Sequence, residues 1–212
     1  MARSDVGHQR GAPSRRKTGE IQNPHARKKI RPYRRGVGAV LFDKRGRVLV
    51  ARRLDTPRAA WQLPQGGLEA GESPRRAVLR ELAEEIGTAR ARIMGECRRW
   101  LAYDLPPALA ARSWGGRYRG QKQKWFALRF IGRDSDIRLD ADTNPEFGAW
   151  KWIPLENLAD LIVSFKRPVY RALIAAFARF VKPTRAGKMA SKKKMQKRKM
   201  RAKMNQRKTP AR

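Results

Sequence analysis

Two kinds of apolar pattern alternate along the central part of the chain and predict strands and helices in turn. Runs of β-prone residues at 37–42 and 48–53 flank the polar segment 43–47, a pattern that predicts a β-hairpin. Further strands are predicted at 91–103, 122–131 and 149–153. Apolar residues recur every three to four positions in 74–86 and again in 168–181, and both segments predict helices. Because strands and helices interleave, we expect a mixed α/β domain.

The first predicted helix has recognisable ends. Ser73 suits the N-cap, Pro74 is tolerated at the first helical position, and Gly87 suits the left-handed position after the last turn. Its apolar stripe consists of Val78, Leu79, Leu82 and Ile86. The segment before it, 61–67 (WQLPQGG), ends in a glycine pair that permits a sharp turn or a close backbone approach to a ligand.

Three glutamates share one face of this helix beside the stripe. Glu81, Glu84 and Glu85 are spaced i, i+3 and i+4. Like charges at such spacings destabilise a helix by about 0.2–0.5 kcal/mol per pair. An acidic group is unexpected in a chain with 51 Lys and Arg residues against 18 Asp and Glu residues. Since hard divalent cations prefer carboxylate oxygens, we expect these glutamates to hold a metal ion.

The net charge of +33 is spread unevenly along the chain. Residues 1–32 hold nine basic and two acidic residues, and residues 182–212 hold fourteen basic residues and no acidic one. We therefore predict a basic disordered N-terminal extension (1–32), one globular domain (33–181) and a Lys/Arg-rich disordered C-terminal tail (182–212). The domain itself carries 28 basic and 16 acidic residues, so a polyanionic partner or substrate is expected.

Cysteine content and hydropathy suggest an intracellular protein. Cys97 is the single cysteine, which excludes an intramolecular disulfide and fits a reducing compartment. We expect it to be a small buried hydrophobic residue. No apolar run approaches the length of a membrane span, and the N-terminus lacks the apolar core of a secretory signal. The expected location is the cytoplasm.

A fixed pattern surrounds the three glutamates. Gly66 is followed after five residues by Glu72, and after seven more by the segment 80–87, RELAEEIG. This pattern resembles the Nudix box, the signature of a family that hydrolyses nucleoside diphosphates linked to another moiety. It departs from the usual pattern at Thr88, where an aliphatic residue is typical. The resemblance implies the α/β Nudix fold, an α/β/α sandwich with a mixed central sheet.

A narrower resemblance covers most of the predicted domain. Four motifs look like those of the bacterial RNA pyrophosphohydrolases: WQLPQGG (61–67), GQKQKWF (120–126), NPEF (144–147) and VSFKR (163–167). Members of that group remove pyrophosphate from triphosphorylated RNA 5′ ends and can also cleave dinucleoside polyphosphates. The first two motifs also look like those of the diadenosine tetraphosphate hydrolases, so they do not separate the two groups.

The resemblance implies a divalent metal site for magnesium or manganese. Its expected ligands are Glu81, Glu84, Glu85, Glu146 and the carbonyl of Gly66. Glu146 is expected as a ligand or as the general base, and Arg80 is expected to form an ion pair with Glu72 that locks the loop to the helix. The alternative interpretation is a solvated acidic helix face, with Arg80 as an ordinary i,i+4 partner of Glu84.

Six residues are predicted to bind substrate: Arg34, Arg53, Lys122, Lys124, Phe165 and Lys166. The resemblance implies a phosphate contact for Arg34 and a stacking contact for Arg53. The first two lysines alternate with Gln121 and Gln123, which places the lysines on one face of a strand and the glutamines on the other. An exposed aromatic ring beside a cation, as in 165–166, suits stacking of a base together with a phosphate contact. A core position for the phenylalanine and ordinary solvent-facing lysines are the alternatives.

The expected function is a metal-dependent RNA pyrophosphohydrolase that leaves a 5′-monophosphate and promotes mRNA decay. Water activated by the metal and by Glu85 or Glu146 would attack the 5′ triphosphate. A dinucleoside polyphosphate hydrolase is the first alternative. The second is a non-catalytic RNA- or ribosome-binding protein in which the basic tails carry the function. Three adjacent carboxylates argue against the second, because they would repel RNA in the absence of metal.

Overall fold

The computed structural model describes residues 30–55, 61–182 and 195–196. Contacts divide the chain into a unit of residues 1–30 and a unit of residues 31–212, and the second unit contains the sheet and its helices. The predicted extensions 1–32 and 182–212 lie almost entirely outside the described residues, as does 56–60 of the segment before WQLPQGG. Among the described residues, no helix is both long and apolar enough to cross a membrane.

Eight strands form one mixed sheet. They are β1 (Tyr33–Phe42), β2 (Val48–Arg53), β3 (Trp61–Gln62), β4 (Gln65–Gly67), β5 (Ala91–Glu96), β6 (Leu101–Asp104), β7 (Gly120–Phe130) and β8 (Phe147–Ile153). The order across the sheet is β3-β2-β1-β7-β5, while β4 pairs with β1, β6 with β7 and β8 with β2. Only β1 and β7 run parallel among these pairs, and all other pairs are antiparallel.

Three helices accompany the sheet: α1 (Pro74–Ile86), α2 (Pro107–Arg112) and α3 (Arg167–Phe177). Alternate residues of β1 point to opposite faces of the sheet. Val40 and Phe42 belong to the apolar cluster that includes Leu173 and Phe177 of α3. Ala39 and its alternate neighbours belong to a second cluster, which includes Val78, Leu82 and Ile86 of α1. The sheet therefore lies between α1 and α3, which confirms the predicted α/β class and its layered, mixed sheet.

Helix α1 has the predicted ends. The Ser73 hydroxyl accepts a hydrogen bond from the Arg76 N–H at 3.4 Å, Pro74 is the first helical residue, and Gly87 has the left-handed φ of 70°. The hairpin is also present, because the Asp43 carboxylate accepts the N–H groups of Arg45 and Arg47 within the turn.

The predicted strand 91–103 is wrong as a single strand. It divides into β5 and β6, which pair with successive parts of β7. The break falls at Cys97, whose N–H donates to the Trp125 carbonyl at 2.8 Å and whose carbonyl accepts from Lys124 Nζ at 2.8 Å. Cys97 is buried in the α3-side cluster, as predicted. The strands β3 and β4 and the helix α2 were not predicted.

Candidate active site

An ion pair between Arg80 of α1 and Glu72 of the preceding loop fixes that loop against the helix. Arg80 Nε and Nη2 donate to the two Glu72 oxygens at 3.1 and 2.9 Å, and Nη2 also donates to the Gly67 carbonyl at 2.9 Å. The hydrogen bond from Arg80 is the largest influence that lowers the pKa of Glu72. The ion pair expected from the sequence is therefore present.

The other side of the same guanidinium contacts the helix glutamates. Arg80 Nη1 lies 3.0 Å from Glu81 Oε1 and 2.9 Å from Glu84 Oε2. The i,i+4 partnership of the alternative interpretation is thus real, but only Glu84 is solvated, with 45% of its side chain exposed. Glu81 and Glu85 are buried, so the glutamates do not form an ordinary surface face.

Glu85 is the least solvated of the three carboxylates. Its Oε2 accepts the N–H of Gln65 at 2.8 Å, a contact between α1 and β4. Burial, followed by the nearby charge of Glu146, raises its pKa well above the usual range. Burial also raises the pKa of Glu81, although Arg80 opposes the shift. Negative charge concentrated in a poorly solvated place favours a bound cation.

Glu146 joins this group from the loop before β8. Its carbonyl accepts the Leu54 N–H at 3.0 Å, and its Oε2 accepts Arg53 Nη1 at 2.8 Å. Arg53 also contacts the Asp55 carboxylate with Nε and Nη2, at 2.6 and 2.7 Å. The structure thus brings the predicted ligand Glu146 close to Glu85, with a predicted substrate-binding arginine against it.

The donor chemistry of this carboxylate cluster, Glu81, Glu84, Glu85 and Glu146, fits a hard divalent cation. All of its donors are carboxylate oxygens, which suit magnesium or manganese better than softer metals. A Cβ on Gly66 would overlap the Glu81 carboxylate, so glycine is required for this close approach. Within the described residues no His, Cys, Asp or Glu group is arranged as a ready metal site, and Arg80 and Arg53 hold cluster oxygens instead.

A cavity of about 520 Å³ opens next to the cluster on the α3 side of the sheet. Four of the six predicted substrate-binding residues line it: Arg34, Arg53, Phe165 and Lys166. The cavity size suits a nucleotide, since ligand sites typically measure about 300–1,000 Å³. The structure therefore places three of the five predicted cations and the predicted aromatic ring around one space.

The ring of Phe165 is less exposed than expected, and the neighbouring cation is buried. Phe165 is only partly exposed and packs 5.8 Å from the Tyr103 ring. Lys166 is buried, with Nζ 3.3 Å from Gln62 Oε1 and 5.2 Å from the centre of the Tyr103 ring. Burial lowers the pKa of Lys166 to about 8, and the neighbouring Arg53 adds to the effect. Both side chains are held in place before any ligand binds.

The structure does not bring Lys122 and Lys124 to the cavity. Both lysines alternate with the glutamines as predicted, but they lie on the α1 face of β7. Lys124 Nζ lies 3.1 Å from Glu96 Oε1, whose carboxylate also meets Arg75 of α1. On the opposite face, Gln121 lines the cavity, and its Oε1 accepts the Gln123 amide at 2.7 Å.

Several cavity residues were missed by the sequence reasoning. They are Gln62, Gln65, Tyr103, Trp114 and Gln121. The period-two glutamines of β7 carried a usable signal, since they had to face away from the lysines. Tyr103 and Trp114 carried no such signal. Tyr103 was the last residue of the predicted strand 91–103, and Trp114 lies in a segment for which no element was predicted.

Comparison with known proteins identifies the family of this chain. Residues 32–173 match the family described as the NUDIX domain. The chain belongs to the Nudix family, and its fold is that of the family. Nudix hydrolases generally need divalent metal cations.

Individual proteins with similar sequences or folds are also known. The chain is 60% identical over 159 residues to an RNA pyrophosphohydrolase of Gluconacetobacter diazotrophicus, covering 72% of this chain and 95% of that protein. It is 57% identical over 152 residues to an RNA pyrophosphohydrolase of Rhodospirillum rubrum, covering 72% and 91%. The Escherichia coli dihydroneopterin triphosphate pyrophosphohydrolase shares the fold, with a TM-score of 0.54 at 24% identity over 68% of this chain and 98% of that one.

Proposed function

We propose that this protein is a metal-dependent RNA pyrophosphohydrolase that converts a 5′ triphosphate into a 5′ monophosphate and so promotes mRNA decay. The relatives named RNA pyrophosphohydrolase support this activity at up to 60% identity. The observation that carries it is the position of the carboxylate cluster beside a cavity lined by cations and an aromatic ring. Because the relatives named RNA pyrophosphohydrolase are bacterial proteins, and bacteria transcribe RNA in the cytoplasm, we place the reaction there.

The metal site of the proposal is the carboxylate cluster with the carbonyl of Gly66. A bound magnesium or manganese ion would offset phosphate charge and lower the pKa of a coordinated water. Arg80 and Glu72 keep the glycine loop against α1, so the cluster oxygens are presented from a fixed backbone. Glu84 is the most solvated oxygen donor of the helix and can turn from Arg80 toward a cation.

The proposed reaction is attack of water on the triphosphate with departure of pyrophosphate. A new bond joins the water oxygen to the α phosphorus, and the bond between that phosphorus and the α–β bridging oxygen breaks. Glu85 and Glu146 are the two candidates to accept the water proton. The raised pKa of Glu85 suits a general base, whereas Glu146 is half-exposed and held by Arg53.

The cavity would hold the RNA end. Arg53 and Lys166 supply positive charge for phosphates, and the Phe165 ring offers a surface for a base. Among the described residues three buried side-chain polar atoms have no hydrogen-bond partner, namely Gln62 Nε2, Gln123 Oε1 and Trp125 Nε1. Gln62 lines the cavity, and its Oε1 accepts a hydrogen bond from Lys166 Nζ at 3.3 Å, so it orients that cation.

A dinucleoside polyphosphate hydrolase is the second candidate. The motifs WQLPQGG and QKQKWF also resemble those of diadenosine tetraphosphate hydrolases, and the same cavity would accept an adenosine. The non-catalytic alternative explains the basic tails but leaves the buried glutamates Glu81 and Glu85 without a purpose. The tails, 1–32 and 182–212, would add sequence-independent affinity for RNA or for ribosomes.

The deciding experiment compares kcat/KM on triphosphorylated RNA and on diadenosine tetraphosphate, with magnesium and with manganese. We expect pyrophosphate release from RNA with a kcat/KM at least about tenfold higher than that for the dinucleotide, a preference of about 1.4 kcal/mol. A preference for the dinucleotide would move the protein to the second candidate. No metal-dependent turnover of either substrate would reject both enzymatic functions.

A further inference from the structure

The outer wall of the cavity is built by the segment between β6 and β7. Helix α2 and the 3₁₀ turn Ser113–Gly116 bring Leu109 and Trp114 to the cavity. Two hydrogen bonds hold the segment: the Leu105 N–H donates to the Arg119 carbonyl at 2.9 Å and joins its two ends, and Arg31 Nη1 donates to the Gly116 carbonyl at 2.9 Å. The wall is therefore a fixed part of the site.

Trp114 has a backbone conformation that large side chains rarely adopt. Its φ and ψ are 50° and 37°, and among the described residues it is the one non-glycine residue with positive φ. Gly115 and Gly116 follow it with φ of 62° and 71°. Strained backbone of this kind concentrates at ligand sites, where surrounding contacts hold it. Here the strained residue presents a half-exposed indole to the cavity.

Arg34 connects this indole to the carboxylate cluster. Its guanidinium carbon lies 5.2 Å from the centre of the Trp114 ring. A Cβ on Gly67 would overlap Arg34 Nη2, so the same guanidinium reaches the glycine loop beside Glu81. In the part of the chain that the structure describes, Arg34 forms no ion pair. An arginine in this position is available to a phosphate.

We propose that Trp114 is the platform on which the 5′-terminal nucleobase of the RNA stacks, while Arg34 binds a phosphate of the same nucleotide. The terminal nucleotide is the one whose phosphates enter the carboxylate cluster, and Arg34 spans from that cluster to the indole. Phe165 lies on another element of the cavity wall and is left for the second base. The cavity then has two base sites on separate elements, one at α2 and one before α3.

This inference rests on the proposed function, because it assigns a binding site to that substrate. A purely structural role for Trp114 would be packing against Tyr118, whose ring lies 6.1 Å away at an angle of 79°. Packing alone explains neither the exposed part of the indole nor its place on the cavity wall. The chain offers a matched control in Trp100. The guanidinium carbon of Arg35 lies 4.6 Å from the centre of the Trp100 ring, and neither residue lines this cavity.

The test uses three triphosphorylated RNAs of equal length: one intact, one abasic at the first nucleotide and one abasic at the second. On the intact RNA we expect Trp114→Ala to raise KM about tenfold with kcat within about twofold of wild type, as loss of one stacked base predicts. The same substitution should leave KM for the first-position abasic RNA unchanged, and should again raise it about tenfold for the second-position abasic RNA. Trp114→Phe should restore most of the affinity, and Trp100→Ala should match wild type throughout.

An equal loss on all three RNAs would overturn the platform, because Trp114 would then act through Arg34 or through folding. If Trp114→Ala fails to fold by circular dichroism, Trp114→Leu tests the same pattern with an apolar, non-aromatic side chain. The inactive variant Glu85→Gln allows the three RNAs to be compared by fluorescence anisotropy without turnover. Failure of wild type to release pyrophosphate rejects the proposed function. A change in KM on Trp114→Ala that does not depend on the first base rejects only the platform.

Discussion

The guanidinium of Arg53 lies 2.8 Å from the carboxylate of Glu146. A residue proposed to bind substrate therefore neutralises a residue proposed to bind metal. Asp55 holds the remaining nitrogens of the same arginine, so Arg53 is oriented by two carboxylates at the cavity edge. The proposed metal and substrate binding would be electrostatically linked at this point, because a cation at Glu146 would compete with Arg53 for the carboxylate oxygen that the arginine now holds.

Removal of this arginine should strengthen cation binding. We expect Arg53→Gln to raise the affinity for Mn²⁺ about threefold, as loss of one partly exposed competing charge predicts, and to raise KM for RNA. Isothermal titration calorimetry measures the metal affinity. Arg52→Gln is the matched control, since Arg52 is exposed on the neighbouring position. An unchanged Mn²⁺ affinity in Arg53→Gln would separate Glu146 from the metal site.

Glu85 should be required for turnover and dispensable for folding. Glu85→Gln keeps an oxygen for the Gln65 N–H but removes the buried charge, so the melting temperature should equal or exceed that of wild type. Turnover should fall by at least about a hundredfold, the usual scale of general acid–base catalysis. Glu84→Gln should also abolish metal-dependent turnover, and the exposed Glu156→Gln should not. Near-wild-type turnover of Glu85→Gln would reject its assignment.

Arg80 should stabilise the fold as well as the site. Arg80→Ala leaves Glu72, Glu81 and Glu84 without their shared cation, and we expect a loss of about 2 kcal/mol in the free energy of unfolding. Because a divalent cation can replace part of that charge, Mn²⁺ should restore more stability to this variant than to wild type. Urea unfolding with and without Mn²⁺ gives both values. An equal effect of Mn²⁺ on both proteins would contradict a metal site at these glutamates.

Lys166 should make stability depend on pH in the alkaline range. Its pKa is lowered to about 8 in the folded protein against an ordinary 10.5, so between these values the unfolded chain binds more protons and folding becomes more favourable as pH rises. Below pH 8 the cost of the buried charge is fully present. Lys166→Met should therefore be more stable than wild type at pH 7, by up to about 3 kcal/mol, with the difference shrinking toward pH 10.5. Exposed Lys122→Met should show no such trend.

The C-terminal tail should contribute affinity but no chemistry. Residues 182–212 carry fourteen basic residues and no acidic one, and deletion of these residues should weaken RNA binding and flatten its dependence on salt concentration. Hydrolysis of a short triphosphorylated RNA should be spared. Binding isotherms at several salt concentrations measure the slope. A collapse of short-substrate turnover would show that the tail belongs to the catalytic unit.

Local features of the fold were predictable from the sequence. The ends of α1 depend on Ser73, Pro74 and Gly87, and each acts through its own backbone preference or a bond to a near neighbour. The hairpin turn depends on Asp43 in the same way. The i, i+3, i+4 spacing also placed the three glutamates together, because helix geometry alone determines that face.

Features that depend on distant partners were not predictable. The division of 91–103 into two strands depends on Cys97 meeting Trp125 and Lys124 of β7, which lie far along the chain. The same holds for burial, since spacing cannot reveal that Glu84 stays solvated while Glu85 does not. The lysines of β7 show the remaining limit: alternation separated them from the glutamines but did not identify the face that meets the cavity.

The parallel pairing of β1 with β7 determines when this site can exist during synthesis. Tyr33 pairs with Gly120 and Phe42 with Arg129, so every partner lies 87 positions further along the chain. Closing so long a loop is entropically costly and slows folding compared with local pairing. The chain must have left the ribosome as far as the end of β7, Phe130, before β1 and β7 can pair along their full length. Helix α1 is therefore synthesised well before much of the cavity wall, and a chain that ended between α1 and β7 would carry Glu81, Glu84 and Glu85 without that wall.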